Sequence, residues 1–313
     1  LPESIGHLPH LQKLMLAGNQ LQALPETLAA CQNLELIRIA ANRLEHLPPW
    51  LLNLPRLSWL AYAGNPFSRQ ESVSANALPQ IPWADLSLGE VLGQGASGVI
   101  SRGRWRQPQG ELPVAIKLFK GAMTSDGLPE DELRACLAAG AHPHLISPLG
   151  QVVQHPEQKH GLVLPLVPDT YRVMGGPPSL ESCTRDIYPA DTEFSLAAVL
   201  AIAQGVAAAA AHLHSRGILH GDLYPHNTLI DAAGDARLSD FGAASFYDPA
   251  DRTVALALER LEVRAFGCLL EDLCDRCPPA QILRPLQQAC MQPDVLERPS
   301  FEDILATLRA TVA

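Results

Sequence analysis

Residues 92–99 read Leu-Gly-Gln-Gly-Ala-Ser-Gly-Val, and residues 114–117 read Val-Ala-Ile-Lys. The glycines at 93, 95 and 98 make a loop in which backbone N–H groups can approach phosphates closely. That spacing alone suits a dinucleotide fold equally well, and the segment after the loop separates the alternatives. A dinucleotide fold would place a helix here and then, after its second strand, an acidic residue for a ribose. This chain instead runs into a second strand-like segment ending in Lys117, a cation suited to a phosphate.

Beyond Lys117 a helical pattern spans 129–139, opening with acidic residues and placing Leu133 and Leu137 on one face. An inward glutamate on it is positioned to pair with Lys117. Glu132 is the choice and Glu130 the fallback, because Glu132 stands at the usual distance before His142-Pro143-His144-Leu145. Further on come His220-Gly221-Asp222-Leu223-Tyr224-Pro225-His226-Asn227 and, thirteen residues past Asn227, Asp240-Phe241-Gly242.

Five motifs in this order resemble the protein-kinase family over residues 86–310. The resemblance implies ATP and magnesium as cofactors, with Lys117 on the α/β-phosphates, Asp222 as the base for the attacking hydroxyl, and Asn227 and Asp240 on the metal. It also places Leu92, Val99, Ala115 and Leu229 around the adenine, makes residues 164–167 the connection between lobes, and gives His220 a structural role beside Asp240. Arg298-Pro299-Ser300-Phe301 is similar to a motif whose arginine pairs with a glutamate ending the activation segment, here Glu259.

The chain also departs from the family. Gly221 replaces the arginine of H-R-D, and Tyr224 replaces the lysine or arginine that commonly follows the catalytic aspartate. Both changes remove positive charge: the first takes away the arginine that clamps a phosphorylated activation loop beside the base, the second a donor to the moving phosphoryl group. Glu262-Val263-Arg264-Ala265-Phe266-Gly267 resembles the start of a buried helix, so nineteen residues separate Gly242 from Glu262 and the peptide-docking platform is abbreviated. The loop also resembles H-G-D-x-x-x-x-N of aminoglycoside phosphotransferases. Three readings therefore stand: a protein kinase, with serine/threonine favoured on family frequency; a nucleotide-binding pseudokinase scaffold; and a small-molecule phosphotransferase.

The amino-terminal part obeys a different rule. Asn19, Asn42 and Asn65 lie 23 residues apart, as do the Leu-Pro pairs at Leu1, Leu24 and Leu47. Around them Leu11, Leu14, Leu16 and Leu21 repeat as Leu34, Ile37, Ile39 and Leu44, then as Leu57, Leu60, Tyr62 and Phe67. This resembles leucine-rich repeats, each too small to bury its own apolar face. The pattern is already under way at Leu1, so further repeats or a cap are expected upstream. Such arrays recruit protein partners through variable strand positions, here Gln12, Lys13, Met15, Glu35, Arg38, Ser58, Trp59 and Ala61.

The expected fold is an α/β solenoid of three repeats (1–67), a linker rich in proline and serine (68–84), and an α+β two-lobed protein-kinase-like domain (85–313, the lobes meeting near 167). Residues 1–84 carry five basic and five acidic residues and 85–313 carry 18 and 28, which argues against nucleic acid. Seven cysteines, odd in number and irregular in spacing, suit a reducing, cytoplasmic setting better than a disulfide framework. The apolar stretch 196–211, broken by Gln204 and Gly205, reads as a buried helix, so no membrane span is expected.

Overall fold

In a computed structural model of the chain, described over residues 1–312 apart from 69–77, Ala96, Ala122, Ser125 and 178–184, the 23-residue period becomes a ladder. Strands β1 (Lys13–Met15), β2 (Leu36–Arg38) and β3 (Trp59–Ala61) pair in parallel, each residue opposite its equivalent in the next repeat. The asparagines hold the ladder. Asn42 Nδ2 donates to the Leu16 and Ile39 carbonyls while its Oδ1 accepts from Leu21 N–H at 3.0 Å, and Asn65 repeats this with Ile39, Tyr62 and Leu44.

The sequence reading of an α/β unit is corrected here. The segments returning between strands are five-residue 3-10 helices (Glu26–Ala30 and Pro49–Asn53), entered through Pro25 and Pro48 in extended conformation. A short period entered through a Leu-Pro pair leaves room for a single tight turn rather than an α-helix.

The upper lobe is a six-stranded sheet ordered β4-β8-β9-β7-β6-β5. Its strands are β4 (Gln80–Pro82), β5 (Leu86–Gln94), β6 (Gly98–Gln107), β7 (Gly110–Phe119), β8 (Gly150–Val153) and β9 (Gly161–Pro165), with helix α1 (Pro129–Ala139) between β7 and β8. Residues 80–82, read as the end of the linker, are an edge strand parallel to β8, so this lobe begins earlier than the composition suggested. Linker residues Ser72 and Ser74 lie outside the described residues.

The lower lobe holds β10 (Arg172–Val173), α2 (Leu196–His214), β11 (Ile218–Leu219), β12 (Thr228–Ile230), β13 (Ala236–Leu238), β14 (Ser245–Phe246), α3 (Arg252–Asp275), α4 (Arg284–Cys290) and α5 (Phe301–Val312). Helix α2 starts at Ser195, whose hydroxyl accepts from Ala198 N–H, and its alanine-rich surface lets α3, α5, β11 and β13 approach closely. It is long and apolar enough to cross a membrane on composition alone, and Val199, Ile202, Ala203, Val206 and Ala210 are buried in the lower-lobe core. Residues 262–267 lie in the middle of the 24-residue α3 rather than at its start.

The repeats do not stand apart from this lobe. Leu28, Ile37, Leu51 and Leu60 share one buried apolar cluster with Leu219, Tyr247, Leu258 and Leu261, and Leu36 and Trp59 belong to the core of the lower lobe itself. Burying such a shared core removes apolar surface from water on both sides, the dominant favourable term in association.

Candidate active site

Between the lobes lies a cleft of about 460 Å³. Its lining includes Leu92, Gly93, Ala115, Lys117, Glu132, Asn227, Leu229 and Asp240 from the sequence-derived set, and Pro165, Leu166 and Val167 from the segment joining the lobes. One assignment is shifted by a residue. Ile100, not Val99, faces the cleft, because side chains alternate along a strand and Ile100 is the residue paired with Lys117 across β6 and β7.

The glycines divide by role. A Cβ at Gly93 or Gly95 would meet no atom within 4 Å, so the loop is open on that side, whereas one at Gly98 would lie 2.5 Å from the Leu118 carbonyl oxygen. The first two glycines leave room for phosphate, and the third is dictated by the close approach of β7.

Lys117 Nζ lies 2.6 Å from Glu132 Oε1 and 3.2 Å from Asp240 Oδ1, joining strand β7, helix α1 and the loop after β13. Glu130 is not part of this triad; it is exposed, with Arg134 3.8 Å away. Burial works against the ammonium charge, but Asp240 and Glu132 outweigh it and hold the Lys117 pKa above its ordinary value. Burial also pushes Glu132 up to about 7, opposed by Lys117 and reinforced by the charge of Asp240. For Asp240 the Lys117 amine and the Gly242 N–H overcome burial and hold the carboxyl below its usual range. Asp240 itself adopts φ +60°, a strained backbone for a non-glycine residue.

On the lower side, Asn227 Nδ2 donates to Asp222 Oδ2 at 2.8 Å and to the Asp222 carbonyl at 3.0 Å. The Asn227 Oδ1 and the Asp240 carboxylate are hard oxygen donors, the kind magnesium takes. His220 is buried with Nε2 3.1 Å from the Ser239 carbonyl oxygen, next to Asp240 and with the structural role expected of it. Glu262, buried in α3, accepts the Gly221 N–H at 2.7 Å and lies 2.8 Å from His214 Nε2, fixing the loop to the core helix. Cavity size, the Lys117 cation and this oxygen pair all fit a nucleotide triphosphate with its divalent ion.

Two further expectations fail. Arg298 does not pair with Glu259: it donates to the carbonyls of Gln292, Arg260 and Pro55, the last at 2.8 Å and belonging to the repeats, while Glu259 accepts from the Tyr247 hydroxyl. The repeats thus supply one of the three carbonyls that hold this arginine. The second concerns the partner surface, because Glu35, Arg38, Ser58, Trp59 and Ala61 are buried. Trp59 lies on Tyr224, Ser58 accepts from Arg264 at 3.0 Å, and Arg38 reaches Asp222 and the Gly221 carbonyl. Over the second and third repeats, the face expected to hold a partner is filled by this chain's own lower lobe.

Sequence reasoning missed Arg38 as part of the site. Its position on the strand was legible; which surface it faced was not.

The family model described as "Protein tyrosine and serine/threonine kinase" matches residues 86–265, and one described as "Leucine rich repeat" matches 6–67. Non-receptor tyrosine-protein kinase TNK1 of Homo sapiens is 33% identical over 171 residues, covering 52% of this chain and 23% of that protein. A probable serine/threonine-protein kinase of Dictyostelium discoideum is 33% identical over 186 residues (58% and 12%), and serine/threonine-protein kinase PkaB of Streptomyces coelicolor is 33% identical over 177 residues (53% and 38%). The chain therefore spans well under half the length of each of these relatives.

Proposed function

Because this chain belongs to the protein tyrosine and serine/threonine kinase family, we propose that it transfers the γ-phosphoryl group of ATP to a protein hydroxyl, serine or threonine being favoured. The observation that carries the reading is the triad of Lys117, Glu132 and Asp240, with Lys117 2.6 Å and 3.2 Å from its partners, assembled across from the Asp222–Asn227 pair. Lys117 fixes the α/β-phosphates, Asn227 and Asp240 hold magnesium, and Asp222 orients the acceptor hydroxyl and takes its proton. The metal supplies charge neutralisation at the transferred group. Positioning of this kind, set before reaction, accounts for most of the catalysis in phosphoryl transfer.

With the inner face of repeats two and three occupied, the first repeat offers strand positions to a protein partner, Gln12 and Lys13 being half-buried and Met15 exposed. The six described free cysteines, all buried, support a reducing, cytoplasmic setting.

A nucleotide-binding scaffold is the second reading, favoured by one observation: both Asp222 carboxylate oxygens already have partners within the chain, Arg38 and Asn227. The deciding experiment is incubation with labelled ATP, with and without magnesium, followed by mass spectrometry of the modified residue. Magnesium-dependent label on a protein hydroxyl, lost in Asp222→Asn, supports the kinase. Nucleotide binding without transfer supports the scaffold, and label on small alcohols alone would move the assignment to a small-molecule phosphotransferase.

A further inference from the structure

The catalytic loop lacks two cations common in the kinase motif it resembles, at Gly221 and Tyr224. The structure brings one in from elsewhere. Arg38 closes strand β2 of the second repeat, and its buried guanidinium meets three oxygens. Nη2 pairs with Asp222 Oδ1, Nη1 donates to the Gly221 carbonyl at 2.9 Å, and Nε lies 2.9 Å from Asp126 Oδ1. Asp126 lies three residues before helix α1, which carries Glu132. One side chain of the repeats thus joins the loop bearing the proposed base to the segment leading into the helix that pairs with Lys117.

We propose that Arg38 is a positioning residue for Asp222, supplied by the repeats in place of the cations missing from the catalytic loop; this rests on the kinase reading above. The carboxylate keeps acceptor capacity, since each oxygen has two lone pairs, and Arg38 and Asn227 take one on each. A planar guanidinium with several fixed partners orients a carboxylate better than a mobile ammonium does.

The same contacts argue against a removable cover. Gly221 adopts φ +74°, and a Cβ there would lie 2.6 Å from the Leu60 carbonyl oxygen of β3 and 2.5 Å from that of Ala243. The loop is therefore shaped to the repeat strand, and the arginine of other kinases has no space beside it. Tyr224, at the second vacated position, is stacked on Trp59 with ring centroids 4.1 Å apart. Lifting the repeats away would also split an apolar core that runs from Leu60 through Leu219 to Leu261. A contact built into the core this way is a permanent part of the site.

The test uses the whole chain as wild type, Arg38→Met and Arg38→Lys, and reads steady-state transfer, ATP affinity, thermal stability and hydrogen exchange across residues 219–227. In Arg38→Met, kcat is expected to fall on the order of 10²-fold with KM for ATP within about twofold of wild type. Exchange in the loop should rise about tenfold or more while the asparagine ladder stays protected. Arg38→Lys, one point charge in place of a three-way fork, should fall between the two; if the Met variant does not fold, Lys against wild type carries the comparison. Unchanged kcat and loop exchange would overturn the proposal, as would a rise in kcat, which would mark Arg38 as a brake, or parallel losses of kcat, ATP binding and stability, which would mark it as structural only. If the wild type transfers no phosphoryl group, the kinase reading falls and the exchange measurement alone decides whether Arg38 orders the loop.

Discussion

Trp59 and Tyr224 lie face to face, ring centroids 4.1 Å apart and planes within 8°, and the Trp59 indole N–H donates to the Leu223 carbonyl at 3.0 Å. One ring belongs to the third repeat and the other to the catalytic loop. The repeat unit and the kinase lobe therefore share a side-chain layer at the position where the loop's own cation is missing.

Trp59→Ala should cost about 3–5 kcal/mol, the range for emptying a buried aromatic site. A double-mutant cycle with Tyr224→Ala should return a coupling of about 0.5–1.5 kcal/mol for the stack. Calorimetry of the wild type should show the repeats and the lower lobe melting in one transition, since they share a core. Two separated transitions would contradict that sharing.

Restoring the family residue should harm this chain. Gly221→Ala alone places a side chain at φ +74° and into the Leu60 carbonyl, so about 2 kcal/mol or more of stability should be lost, and Gly221→Arg should lose more. Denaturant midpoints of the two variants against wild type provide the check.

Lys117→Met should abolish phosphoryl transfer and, because it leaves the buried Glu132 carboxylate without its cation, destabilise by about 3 kcal/mol at neutral pH. The loss should depend on pH. Burial already raises Glu132 to about 7, and removing the opposing Lys117 charge raises it further. A carboxyl whose folded pKa exceeds its unfolded value is penalised progressively as pH rises between the two, so the variant should be more stable near pH 6 than near pH 8. Melting temperatures across that interval, with wild type alongside, measure the effect.

Glu262 titrates in the opposite sense. Burial opposes its charge, the His214 and Gly221 bonds overcome it, and the pKa is held below the ordinary value. Its contribution is therefore complete above the unfolded pKa of about 4.3 and fades as pH falls through the folded one. Glu262→Gln should lose about 1–3 kcal/mol at neutral pH and progressively less in acid. A stability difference that stays constant with pH would exclude the ionised carboxylate as its source.

Much of the active site could be read from the chain because its parts are local. Gly93 and Gly95 sit at the turn from β5 into β6 and Lys117 on β7, three strands consecutive in the chain and in the sheet, Asp222 and Asn227 lie on one loop, and Asp240 lies after the next two strands. Glu132 was separable from Glu130 by its distance before His142-Pro143-His144-Leu145. Val99 failed for a local reason as well: alternation along β6 turns Ile100 toward the cleft, and a one-residue error in register exchanges the two faces of a strand.

The sequence alone determined the repeats, their period and the order of the phosphate-handling residues, because strand alternation, turn chemistry and motif spacing act over a few residues. Only the tertiary structure decided what the repeats face. The contacts of Arg38 with Asp222, Trp59 with Tyr224 and Pro55 with Arg298 join residues about 165 to 245 positions apart. They depend on how two separately patterned apolar surfaces dock, and no periodicity in either surface records the partner it will meet.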